Sequence, residues 1–311
     1  MLETIRDDRQ MRALTGVSWE KFAQLLPVFS RVYHQEQYKA YEEGLAEGTR
    51  QRKPGGGQKG NQPEMEDWLY FILNYYKTYP TFDVLGHRFG LARSKADEQV
   101  HQSSPISHQT LMEMGHLPKR EFERVEAFKA MPEDCGVDQI LIDVTERPCQ
   151  RPQDNERQRE LYSGKKKRHT VWNLIVSTLD KVVLFVGQTF EGCWHDYAIL
   201  KEEFPPDLPW FELVTVLADL GFQGILSDYE GERIFIPFKK PRKSWKNPDP
   251  KLSDEQKAVN LALAKIRVLV ENAIAGIWRF NILTHIFRNR KDGFDDEVIA
   301  VSAGLWNFWL A

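Results

Sequence analysis

Three acidic residues stand where charge has to be explained. Asp143 follows the apolar pair Leu141-Ile142 in "LIDVTERP" (141–148), and Asp219 closes the apolar run in "VTVLADLGFQG". Glu271 falls in "RVLVENAIAGIWRF", beside an apolar helical stripe. A carboxylate at the end of a buried strand is costly unless something compensates its charge. Carboxylates brought within a few ångströms of one another would force protonation unless a cation sits among them. Hard oxygen donors suit Mg2+ or Mn2+. Two such ions can activate an attacking oxygen and stabilise a leaving one. The chemistry that follows is cleavage of a phosphodiester.

The elements that must bring these acids together can be read from residue periodicity. From about residue 137 the chain carries short β-rich runs: "DQILIDVT", "HTVWNLIVST", "KVVLFVGQTF", "ELVTVLADL" and "RIFIPFKK". "HDYAILKEEF" reads as a helix between the third and fourth runs, and a long helix is expected over about 253–280. Three strands, a helix, a strand, a connection, a strand and a final helix is the order of an RNase H-like α/β domain. In that arrangement the first and fourth strands are neighbours, so Asp143 and Asp219 would meet. The final helix has a stripe at Val259, Leu263, Ile266, Val270, Ala273, Ile277 and Phe280. Glu271 flanks it and can reach both Asp residues.

The first part of the chain reads as helical. Ser18 is expected to cap a helix carrying Phe22, Leu25, Leu26 and Phe29. Residues 44–63, rich in Gly, Lys and Arg, read as a basic linker. Residues 65–102 give an amphipathic helix ended by Pro80, then "FDVLGHRFG" closed by Gly90, then a helix capped by Ser94. Two short helices across "FGLA" match a helix-turn-helix, whose second helix would present Arg93, Lys95 and Gln99 outward to DNA. The expected organisation is a DNA-binding region at 1–115, a connector at 116–136 and an RNase H-like catalytic domain at 137–311. That is an α/β fold preceded by an all-α segment.

Five pieces in order, "IDVTERPCQRP", "YSGKKKRHTVWNLIVS", "GCWHDYAIL", "ADLGFQG" and "RVLVENAIAGIWRF", carry a family likeness. They resemble the DDE transposases of bacterial insertion sequences, in the group that includes the insertion-sequence-five family and the PIF/Harbinger elements. The helical "LTGVSWEKFAQLL" and the helix pair resemble the DNA-binding region of the same proteins. The resemblance implies that Asp143, Asp219 and Glu271 are a catalytic triad holding two Mg2+ or Mn2+ ions. It implies double-stranded DNA, as element ends and target, for partner, and a homodimer on that DNA. Of the related signature Tyr-x2-Arg-x3-Glu-x6-Lys, only Arg267 and Glu271 match; Ala264 and Trp278 stand at the outer positions, with Arg279 one step further. The function implied is binding of terminal inverted repeats, hydrolysis and strand transfer. An endonuclease of the same fold without strand transfer is the alternative, and a catalytically silent DNA-binding protein is the third reading.

The net charge of −3 argues by itself against a nucleic-acid partner, but the basic residues cluster. Residues 147–168 hold eight Lys/Arg against three acids, 233–251 seven against one, and 279–291 four against none. Local stripes are what phosphate contacts need. Lys165, Lys166, Lys167 and Arg168 in "SGKKKRH", and Lys239, Lys240, Arg242 and Lys243 in "KKPRKSWK", are the backbone-contact candidates, with Arg267 and Arg279. Trp245 in the second stretch is open to two readings, stacking on an unpaired base or local packing. Glu146, His195 and Asp196 are candidates for groups behind the main acids, with a turn or helix-cap role as the plain alternative. Three scattered cysteines form no CxxC pair, which argues against a structural zinc site. The charged N-terminus and the lack of a long apolar run predict a cytoplasmic, nucleoid-associated protein with no membrane span.

Overall fold

The structure is a computed structural model, and it describes residues 2–51, 53, 64–134, 136–231, 233–245 and 247–311. In chain order the helices and strands are α1 (Asp8–Thr15), α2 (Trp19–Ala46), α3 (Met65–Thr78), α4 (Phe82–Phe89), α5 (Arg93–Glu113) and α6 (Val125–Asp134). Then come β1 (Gln139–Pro148), α7 (Asn155–Leu161), β2 (Tyr162–Ser163), β3 (Arg168–Ser177), β4 (Val183–Val186), β5 (Phe190–Glu191) and α8 (Asp196–Glu203). The chain ends with β6 (Thr215–Leu217), α9 (Ile225–Asp228), β7 (Ile234–Phe235), α10 (Asp254–Ile277), α11 (Asn281–Thr284) and α12 (Phe294–Leu310). The chain divides into two compact units, one of residues 118–276 and one of 1–117 with 277–311. Among the described residues no helix is long and apolar enough to cross a membrane.

The unit of residues 118–276 is built on a mixed sheet in the order β2-β3-β1-β6-β7, with β4 and β5 also paired to β3. β1 runs antiparallel to β3, with Asp143 opposite Ile175, and parallel to β6, with Leu141 opposite Leu217. β6 runs parallel to β7. Successive residues of a strand point to opposite faces, and β1 follows this rule. Ile140 and Ile142 join a large core with Leu174, Ile199, Phe204 and Phe211 on one face. Leu141 joins Leu217, Leu263 and Val270 on the other, so α10 covers the face that Asp143 shares. Val259, expected to begin the α10 stripe, is exposed; the helix packs on the sheet only from Leu263 onward. α10 starts at a capping box in which Gln256 N–H donates to Ser253 Oγ and Ser253 N–H donates to Gln256 Oε1.

The other unit is helical. Ser18 caps α2 as expected, its Oγ accepting from Lys21 N–H. Most of the expected basic linker, residue 52 and residues 54–63, lies outside the described residues, while 44–46 form the end of α2. α4 and α5 are joined by a turn at Gly90, which has φ +66°. Gly86 is required at its position, since a Cβ there would stand 2.5 Å from the Leu91 carbonyl oxygen. Two expectations fail here. Ser94 does not cap α5, because the cap is Ala92 and makes no side-chain bond. Gln99 does not face outward: it is buried and donates to Gln102. The cause is that α5 is longer than expected, continuing through Pro105 to Glu113 with Ala96, Gln99, Val100, Ser103 and Ser107 on its buried side. The C-terminal α12, expected with the catalytic half, packs on α5 within the helical unit.

α12 also brings a half-buried acid, Glu297, into this unit. Burial raises its carboxyl above the ordinary carboxylate range, against the lowering effects of a hydrogen bond with Ser104 and of Lys291. A raised acid gives up its proton at a higher pH in the fold than in the open chain. It therefore costs nothing below the unfolded value and destabilises as pH rises through and above the carboxylate range. Glu297→Gln should accordingly raise the melting temperature at pH 7.5 and leave it unchanged at pH 4. A thermal melt across that range with no difference between the two proteins would refute the assignment.

Candidate active site

The site forms where β1 and β6 stop pairing. The last registered pair is Leu141 with Leu217. Asp143 and Asp219 each follow two residues later, so both fall on the same face of neighbouring parallel strands. After Asp219 the chain turns through a short 3-10 helix at Leu220–Phe222, with Asp219 as its cap and Oδ1 accepting from Gly221 N–H at 2.5 Å. Asp143 is half-buried, its Oδ1 accepting from the Val144 N–H at 2.8 Å. Burial is the main reason its carboxyl is pushed up to about 6. The Val144 hydrogen bond and Arg267 oppose this, while the carboxylates of Asp219 and Asp196 add to it.

Asp196 belongs to this cluster in a way the sequence did not reveal. It is the first residue of α8, not its cap; His195 caps the helix without a side-chain bond and is exposed. A Cβ on Gly221 would be driven into Asp196 Oδ2 and would stand 2.8 Å from Asp219 Oδ1, so the two carboxylates flank the same glycine. Burial raises the Asp196 carboxyl, Asp219 adds to the effect, and Lys165 opposes it. Gly221 is exposed and lacks a left-handed φ, so a methyl group there meets no obstacle but the two acids. Gly221→Ala should therefore lower the rate of any reaction at this site by about a hundredfold, the cost of displacing reacting groups by an ångström, with the melting temperature nearly unchanged. Wild-type rates in that variant would show that the Asp196–Asp219 spacing is immaterial.

Glu271 is less closely held. It is exposed on α10, and Arg267 Nη2 lies 3.6 Å from its Oε1 and 3.7 Å from Asp219 Oδ2. The guanidinium thus stands between Glu271 and Asp219. Among the described residues, no three His, Cys, Asp or Glu side chains converge closely enough to hold a metal ion as they stand. The donor chemistry does fit a divalent cation. All four acids offer hard oxygens, and Asp143 is raised to about 6 mainly by burial, with the neighbouring carboxylates of Asp219 and Asp196 adding to it.

Other sequence candidates fall in different places. Glu146 is buried on the face opposite Asp143, where its Oε1 accepts from Thr170 Oγ1 at 2.8 Å. Arg147, the first residue of the basic stretch 147–168, is 1% exposed; its Nε and Nη2 donate to Asn173 Oδ1 and Nη2 also to Thr189 Oγ1. It shares the face of Asp143 on β1, and its partner comes from the antiparallel β3, a pairing that local sequence does not announce. Lys165, Lys166, Lys167 and Arg168 are all exposed on the β2–β3 turn, which closes where Lys167 N–H donates to Ser163 O with φ +58° at Lys167. Lys239, Lys240, Arg242 and Lys243 are exposed on the connector before α10. Arg93 and Lys95 are exposed on α5, ion-paired with Asp83 and Glu98. Arg279 is half-buried in the helical unit, its guanidinium 4.7 Å from the Trp309 ring centre, and burial holds it below the usual arginine value.

Residues 142–307 match the family described as DDE superfamily endonuclease. The chain is also 26% identical, over 308 residues, to a protein from Microchaete diplosiphon called "Probable transposase for insertion sequence element IS702". That alignment covers 97% of this chain and 95% of the relative. No solved structure matches.

Proposed function

Because the chain belongs to the DDE superfamily endonucleases, we propose that it is the transposase of an insertion sequence and that Asp143, Asp219 and Glu271 are its catalytic acids. The observation that carries the reading is the pair of aspartates at equal offsets past the last paired residues of two parallel strands, with Arg267 reaching from α10 toward Asp219 and Glu271. The order of strands around them is the basis for assigning an RNase H-like fold to this unit.

DDE superfamily endonucleases generally use divalent metal ions. Here Asp143, Asp219 and Glu271 would hold Mg2+ or Mn2+, as two ions, with Asp196 next to them. When bound, such ions neutralise the acids and stabilise the attacking and leaving oxygens of a phosphodiester. The protein's own groups do the positioning. The Val144 N–H fixes Asp143, the Gly221 N–H fixes Asp219, and Arg267 orients Asp219 and Glu271. In the reaction water attacks phosphorus and the bond to the 3′ oxygen breaks, which leaves a 3′-hydroxyl. That hydroxyl then attacks a target phosphodiester, exchanging one P–O bond for another with no covalent protein intermediate.

Binding is assigned to the surfaces that stay open. The α4–α5 pair acts as a helix-turn-helix that reads the terminal inverted repeats through Arg93 and Lys95. The β2–β3 turn, the connector before α10 and Arg267 contact backbone phosphates. The active form is a homodimer on paired ends. The test is to incubate purified protein with DNA carrying the element's own ends, with Mg2+, with Mn2+ and with chelator. Cleavage and joined products that require the metal are expected. Cleavage without joining would reduce the protein to an endonuclease, and binding without cleavage under either metal would remove the enzymatic reading.

A further inference from the structure

The connector between β7 and α10 holds five Lys/Arg and no acid over residues 239–246. It also holds the most conspicuous apolar group on the surface. Trp245 is 94% exposed, whereas Trp172, Trp210 and Trp306 are buried and Trp309, the next most exposed, is at 40% with a guanidinium laid over its ring. A single exposed apolar side chain is ordinary on a protein surface. What distinguishes this one is how it is presented. Ser244 N–H donates to Asn247 O at 3.0 Å, and Asn247 N–H donates back to Ser244 O and Oγ at 3.1 Å. Ser244 and Asn247 are therefore tied together by hydrogen bonds, and Trp245 directly follows the first of them.

The root of the connector is also fixed. Phe238 N–H donates to Asn260 Oδ1 on α10 at 2.7 Å, and Asn260 Nδ2 returns a bond to Phe238 O. Lys239 Nζ donates to Gln223 Oε1, four residues after Asp219. The connector thus leaves the body beside the loop that carries the second catalytic aspartate. Pro241, Pro248 and Pro250 restrict its backbone. The acid nearest its far end, Asp249, is taken up by Lys251 at 2.6 Å.

A stiff cationic segment ending in an open aromatic face has the composition of a single-strand binding surface, in which cations track phosphates and an aromatic ring stacks on a base. A fully paired duplex offers no such face along its length; a strand that has opened at an end does. We propose that Trp245 stacks on an unpaired base of the DNA strand next to the cleavage site, with Lys240, Arg242 and Lys243 holding its phosphates. The connector then favours ends that are splayed over ends that are closed. This rests on the reading of the protein as acting on DNA.

The full chain should be titrated with three fluorescently labelled probes of one sequence: a blunt duplex, the same duplex with three splayed nucleotides at one end, and the single strand. Wild-type protein should bind the splayed probe more tightly than the blunt one. Trp245→Ala should lose about tenfold on the splayed probe and the single strand while binding the blunt duplex as before; Trp245→Phe should keep most of the preference. A splayed-end preference unchanged in Trp245→Ala, or an equal loss on all three probes, overturns the inference alone. Failure of the wild-type protein to bind any probe at low salt overturns the inference together with the reading it rests on.

Discussion

Asp143→Asn should abolish metal-dependent cleavage, by at least about a thousandfold, while the protein stays folded and still binds DNA. The size follows from what the side chain does. Removing one charged oxygen donor takes away several kcal/mol of transition-state stabilisation, and each 1.36 kcal/mol is about tenfold in rate. Folding should survive because the amide keeps the shape of the acid and removes a charge that the fold holds at a cost. The Asp143 carboxyl sits at about 6 because it is buried near two other acids. Oxygen Oδ1 of the asparagine can still accept from the Val144 N–H that Asp143 now engages. The measurement is a cleavage time course in Mg2+ and Mn2+ beside a melting curve and a binding isotherm. Cleavage within tenfold of wild type would end the assignment of Asp143. Loss of binding along with cleavage would point to a structural role instead.

Phe204→Ala should cost about 3–5 kcal/mol of stability, the range for deleting a fully buried aromatic ring. Phe204 is 0% exposed and is ringed by Phe128 at 5.1 Å, Phe185 and Trp210 at 5.2 Å and Phe211 at 5.8 Å between ring centres. Four aromatic rings around one position leave a cavity that small movements cannot close. A loss of that size is a large part of the 5–15 kcal/mol that keeps a typical domain folded. Phe204→Leu should cost much less, since it refills most of the space. Urea unfolding monitored by tryptophan fluorescence gives the comparison. A cost below about 1 kcal/mol for the alanine variant would mean that the aromatic cluster is not the centre of this core.

The legible parts of the site were those with a strong local period. The nearness of Asp143 to Asp219 was legible because each closes an apolar run and the sheet makes β1 and β6 neighbours as expected, although β1 does not end at Asp143 but runs on to Pro148. Leu263 and Val270 were found on α10 by the same logic, as helical spacing. Gln99 was misread because the buried side of α5 is lined with Ser103, Ser104, Ser107 and Thr110, whose polarity hides the period of that face. Arg147 was misread because its partner Asn173 lies 26 residues away on another strand. Asp196 could be noticed but not placed, since its closeness to Asp219 depends on how α8 meets the turn at Gly221. For Arg147 and Asp196 what was missed is a contact between distant segments, which no local pattern encodes.

The grouping of residues 1–117 with 277–311 has a consequence for how the protein is made. Domains fold as units while the chain emerges from the ribosome, the N-terminal ones ordinarily first. Here the order is inverted. The unit of residues 118–276 is complete once α10 has been synthesised, whereas the helical unit waits for α12, a helix buried from Phe294 to Phe308 along most of its length. Until the last turn of the chain is released, the face of α5 that α12 covers has no partner. The helical unit is thus the last to become complete, and the sheet-bearing unit exists for a time without it.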